Sequence, residues 1–193
     1  MKDKKIKKYI LIVAGIILLI VATVIIIKVE NSKIDTFDPE WGPLREDEAS
    51  VLVGKLEGAI CEGDTYPSYY GGVYLKKQNL VILITKDSKE AEAEVREIVG
   101  QKEGIHIRYV KYSLNDLKEV QENIRETYSE LYDEGEEDVV QLLDDVRGTS
   151  VSQENNEVVV KITEITNRKI RKFKKLFGDY DCVRYEEGGY FAW

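Results

Sequence analysis

Polarity along the chain changes period several times, and each change marks an element. From Tyr9 to Ile27, 19 residues pass without a charge. A helix of that length rises about 28 Å, close to the hydrocarbon thickness of a bilayer. Residues 46–62 then place Ala49, Leu52, Val53, Leu56, Ala59 and Ile60 at helical spacing. A strand follows near Val73–Lys76, then a turn at "KKQN" and a second strand over Leu80–Thr85. Lys89–Val99 has one apolar side (Ala91, Val95, Ile98, Val99), with Asp87 or Ser88 as its cap and Glu90 completing a capping box. "IHIRYVKY", residues 105–112, alternates strictly and predicts a third strand. Ser113 caps a long helix with Leu114, Leu117, Val120, Ile124, Tyr128 and Leu131 on one face.

Beyond the acidic stretch "DEGEED" the pattern returns. An offset of 77 lays "GTSVSQENNEVVVKI" (148–162) on "GGVYLKKQNLVILIT" (71–85), with Gly148 on Gly71 and Val158 on Val81. With one further residue inserted, Phe173, Leu176, Phe177 and Gly178 fall on Val95, Ile98, Val99 and Gly100. Finally, "CVRYEE" matches "IRYVKY" as a closing strand. The unit is strand–strand–helix–strand, used twice. The expected fold class is α+β: an N-terminal transmembrane helix, then a duplicated domain with helices packed on small antiparallel or mixed sheets. The divisions read as a basic tail (1–8), a membrane helix (9–27), a tether (28–45), a first half (46–133), and a second half with an aromatic tail (134–193).

Charge divides at the apolar run. The chain has 28 basic and 36 acidic residues; residues 1–28 hold six Lys and one Asp, which leaves a net charge of −13 beyond them. Lysines before the run direct the N-terminus to the cytoplasm and the rest outside, a single-pass cell-membrane protein whose lipid contact is residues 9–27. A cleaved signal peptide is the rival reading, but "VATVIIIKVE" offers bulky residues where cleavage needs small ones. The acidic outer part excludes nucleic acid as a partner, which would need a basic stripe. "NSKIDTFDPEWGPLRE" (31–46) reads as a tether, with Phe37 and Trp41 either at the lipid interface or docked on the domain.

Little in the sequence carries chemistry. His106, the single histidine, alternates with Ile105 and Ile107 and falls on the solvent side of its strand, without a nucleophile motif beside it. Cys61 and Cys182 match no zinc pattern, and whether they pair is open. "DEGEED" lacks the ligand spacing of a calcium loop and reads as a solvated turn. The expectation is a non-enzyme with no catalytic, cofactor or metal site. The Tyr69, Tyr70, Gly71, Gly72, Tyr74 cluster reads as the packing corner of a hairpin. Its glycines serve the backbone, and its rings cover the sheet end with their hydroxyls in water.

Three stretches carry a resemblance: "YYGGVYLKKQNLVILITKDSKEA", then "IRYVKYSLNDLKEVQENI", then "NNEVVVKITE". Together they resemble the pro-regions of α-lytic protease and streptogrisin-type serine proteases, over roughly Tyr66 to Glu187, here without the protease. The chain is also similar to membrane-anchored proteins of Gram-positive bacteria. In the pro-region family the domain is a folding catalyst and tight inhibitor of its protease, and its end lies in the protease cleft as an extended strand. The resemblance therefore implies a non-catalytic, extracytoplasmic interaction module that contacts a protein partner, with a protease as the example the family offers. The expected contact residues are Tyr190, Phe191 and Trp193 of the tail and Tyr69, Tyr70 and Tyr74 of the cluster. The alternative is an envelope sensor or a domain binding a small ligand or peptide, working with a membrane partner.

Overall fold

The computed structural model describes residues 39–189 apart from Asp64 and Asp87. The basic tail, the membrane helix 9–27, most of the tether, and Tyr190, Phe191 and Trp193 lie outside the described residues. Among the described residues no helix is long and apolar enough to cross a membrane.

The order is α1 (Glu46–Ile60), β1 (Tyr70–Lys76), β2 (Asn79–Thr85), α2 (Lys89–Val99), β3 (Ile105–Val110), α3 (Leu114–Glu134), α4 (Glu137–Leu143), β4 (Val146–Ser152), β5 (Glu157–Ile162), α5 (Asn167–Phe177) and β6 (Val183–Glu187). Two three-stranded mixed sheets result, ordered β1-β2-β3 and β4-β5-β6. In each, an antiparallel hairpin is joined through a helix to a parallel third strand. The duplicated α+β unit is therefore present. A hairpin can close through a short turn, whereas the parallel return needs a crossover long enough to hold a helix.

The register corrects the offset of 77. Gly72 opposes Leu83 and Gly148 opposes Lys161, so the first strands match at an offset of 76 and everything from the second strands onward at 78. Gly148 takes the place of Gly72 rather than Gly71, and Val183 takes the place of Ile105. The two-residue difference sits in the turns. Lys77 and Gln78, with φ of 47° and 58°, make the tight first turn. A pair of positive φ values is what a two-residue hairpin requires. The second hairpin spends four residues, Gln153 to Asn156.

Alternation along β2 and β5 sorts the cores. Leu80, Ile82 and Ile84 pack with Leu56 of α1, Val95 of α2, Leu44 and Tyr70. Val158, Val160 and Ile162 pack with Leu117 and Ile124 of α3, Leu143 of α4, and Phe173 and Phe177 of α5. α3 straddles the join, since Leu114 belongs to the first core and Leu117 to the second. Its start is a capping box: the Ser113 hydroxyl accepts from Asp116 N, and Asp116 accepts from Ser113 N.

"DEGEED" is more than a solvated turn. Asp133 and Glu134 end α3, Gly135 reverses the chain at φ 71°, and Glu137 and Asp138 open α4. Acidic side chains suit a helix N-terminus, where the backbone N–H groups lack partners.

Candidate functional site

The tyrosine cluster lies where α1, the start of β1 and the N-terminus of α2 meet. Tyr70 is wholly buried, its ring stacked on Tyr66 with centroids 5.1 Å apart and its hydroxyl donating to Glu57 Oε1 at 3.2 Å. Burial, then the Glu57 carboxylate, pushes its phenol far above the ordinary 10. Tyr69 and Tyr74 are half-buried, yet both hydroxyl oxygens are closed off from solvent; that of Tyr74 makes no hydrogen bond to a described residue, and that of Tyr69 has the Glu94 carboxylate nearby. Burial, and the Glu94 carboxylate nearby, pushes Tyr69 up to about 12. The expectation that these hydroxyls reach water is thus corrected: both oxygens lie beneath the surface although their side chains are only half-buried. Tyr70, one of the expected contact residues, has no exposed surface in this structure.

The glycines confirm the hairpin corner. Gly72 has φ of 114° and sits at the bulge between Tyr70 and Gly72. A Cβ on Gly71 would come within 2.6 Å of Val110 Cγ2, and one on Gly72 within 2.5 Å of Gln153 Oε1. Beside the cluster, Tyr69, Lys86, Ser88, Lys89, Glu90, Ala91 and Glu94 line a wide-mouthed depression of about 680 Å³. It mixes two cations with two carboxylates and brings together neither Tyr70 nor Tyr74.

Gln153 belongs to a clasp that joins the halves. Its Oε1 accepts from Val73 N at 2.6 Å, so the turn of the second hairpin completes the backbone of the first. Glu154 follows, its carbonyl accepting from Arg108 Nη1 at 2.9 Å and its carboxylate from Lys76 Nζ at 2.8 Å. Asn156, at φ 53°, closes the set: Oδ1 accepts from Tyr112 N at 2.9 Å and Nδ2 donates to Tyr112 O at 2.8 Å. His106 and Arg108 alternate with the core residues Ile105 and Ile107, so the clasp covers the sheet face away from α1 and α2. Sequence reading missed it, although the signal was present: the second turn is two residues longer and polar throughout.

His106 Nε2 lies 3.0 Å from Asn79 Oδ1. Cys61 and Cys182 are free thiols, and burial raises the pKa of Cys182. Among the described residues no group of three or more His, Cys, Asp or Glu could hold a metal ion. Trp41 is 74% exposed, so it does not dock on the domain, although its neighbours do. Gly42 N and Leu44 N donate to Lys77 O and Gln78 O, and Leu44 is buried.

Residues 40–108 match the family model of a Pro-like N-terminal domain, and residues 115–188 that of a Pro-like C-terminal domain. The chain is a tandem of Pro-like domains. The resemblance to pro-regions therefore holds across both halves. Comparison with curated proteins gives no match. The six residues between the two matches include Tyr112 and Ser113. Asn156 of the Pro-like C-terminal domain grips the backbone of Tyr112 on both sides, so the connection between the domains is itself held. From Pro39 onward the two form one compact unit.

Proposed function

We propose that this protein is a non-catalytic interaction module, anchored in the cell membrane through residues 9–27 and facing outward, that binds an extracytoplasmic serine protease as pro-regions do. The observation that carries this reading is the pair of Pro-like matches, which together run from 40 to 188. β6 is an edge strand of its sheet and leads directly into residues 188–193. An edge strand offers unpaired backbone groups to a partner, and an extended peptide gains affinity by such pairing and specificity from its side chains. Tyr190, Phe191 and Trp193 supply large apolar area for that purpose. The ligand-binding alternative has weaker support, because Tyr70 lies in the core.

The test is co-purification from membranes in mild detergent, using the full chain and a chain lacking residues 188–193. The expected result is a serine protease retained by the full chain, inhibited by it, and lost on deletion, with the melting temperature of the domain unchanged. An identical partner list for both chains sinks the proposal. A melting loss equivalent to about 2–4 kcal/mol, as for a lost buried aromatic, would assign the tail to the core instead.

A further inference from the structure

The helical layer over the second sheet carries two rows of opposite charge. On α5, Arg168, Arg171, Lys172 and Lys175 are exposed and recur at intervals of three and four. That spacing puts them on one side, away from the buried Phe173 and Phe177. None of the four makes an ion pair with a described residue, whereas Lys169 and Lys174 on the flanks are paired with Asp145 and Asp179. On α3, Glu119, Glu122, Glu126 and Glu130 are exposed at the same intervals, opposite the buried Leu117 and Ile124. Of these, Glu122 takes Arg125 of its own helix at 2.9 Å.

The two helices are neighbours, and both pack on the face of β5 that carries Val158, Val160 and Ile162. Their charged rows therefore run side by side on one outer surface. Such a surface complements itself. A twofold axis lying along the helices, between the rows, sets α3 of one copy over α5 of the other, and the reverse pairing forms at the same time. That is an isologous contact, closed at two copies. We propose that two copies of this chain associate in this way, with the Arg168–Lys175 row of each against the Glu119–Glu130 row of its partner. Complementary potentials of this kind set register and orientation, and they weaken as salt screens them.

The experiment uses the full chain in non-ionic detergent, with the protein mass per particle measured by sedimentation. The expected result is a dimer at about 50 mM salt and a monomer at about 500 mM, where the screening length is a few ångströms. Reversing the basic row (Arg168→Glu, Arg171→Glu, Lys175→Glu) yields monomers at low salt, and so does reversing the acidic row (Glu119→Arg, Glu122→Arg, Glu126→Arg). Mixing the two variants restores a dimer, since each then carries two rows of a single sign. All six positions are exposed, so far-ultraviolet circular dichroism and melting of either variant match the parent. Four outcomes overturn the proposal: a monomer at low salt, a dimer indifferent to both reversals, variants that stay apart when mixed, or a monomer whose basic row retains an anionic polymer instead.

Discussion

His106 Nε2 donates to Asn79 Oδ1 across 3.0 Å, and 78 positions later Arg184 Nε donates to Glu157 Oε1 across 2.5 Å. The four residues occupy matching places in two copies of one fold. The first joins an imidazole to an amide and the second a guanidinium to a carboxylate, and Asn79 has further duties. Its Nδ2 donates to Glu40 O at 2.7 Å and to Lys77 O at 3.0 Å, which fixes the amide's orientation and leaves Oδ1 for the imidazole N–H. A carboxylate, having no donor, could not hold those two carbonyls. Asn79 thus fastens the entering chain at Glu40 to the first turn.

Asn79→Asp should therefore destabilise the domain by about 1–3 kcal/mol, the cost of leaving buried acceptors unpaired. Urea midpoints check this, and an unchanged midpoint would show that water replaces the amide without loss.

Gly72→Ala combines an unfavourable φ with a clash against Gln153, for a loss of about 1–3 kcal/mol. In a Gln153→Ala background the clash disappears and the strain remains. A double-mutant cycle should then give a non-zero coupling between the two positions, 81 residues apart in the chain. Strict additivity would mean that Gln153 swings away at little cost.

At Asn156, Asn156→Gly keeps the left-handed backbone accessible but removes both bonds to Tyr112. The expected loss is about 1–3 kcal/mol. Hydrogen exchange at the Tyr112 amide, now without its acceptor, should rise more than exchange in β2. Equal protection in both proteins would contradict the clasp.

Asp145 predicts an acid-dependent contribution. Burial alone would raise its pKa, but the hydroxyl of Thr163 and the ammonium of Lys169 at 3.0 Å outweigh it and hold the carboxyl below the ordinary 3.8. A pKa depressed by folding stabilises the native state above the unfolded pKa, and the gain is lost as pH falls through the folded value. The stability difference between the parent and Asp145→Asn should hence be constant above about pH 5 and shrink below about pH 4. A difference that grows toward acid would reverse the sign.

Trypsin applied to intact cells should release an outer fragment. With Leu44 buried and Gly42 and Leu44 bonded to the first turn, cleavage should fall at Lys28 or Lys33 before Arg45. A membrane-free protein starting near Val29 without added protease would refute the anchor.

Local patterning by itself determined much of this protein. The limits of α2, from Lys89 to Val99, follow from its amphipathic spacing and from Gly100 beyond it at φ 81°. The Ser113 capping box is spelled out by neighbours in the chain. The order of strands in each half follows from the repeat, because alternation and helical spacing are properties of a few consecutive residues. Register was not legible in the same way. An offset of 77 averages the true 76 and 78, and only paired backbones show that the extra residues belong to one turn. Tertiary structure alone decided that those extra residues cross to the other half, where Gln153 and Asn156 complete a foreign backbone. It also decided which tyrosines lose their surface and which sheet receives α3. A polar side chain in a turn looks the same in sequence whether it faces water or a backbone 44 or 80 residues away. Choosing between them takes the free energy of burying that backbone, which exists only once the halves meet.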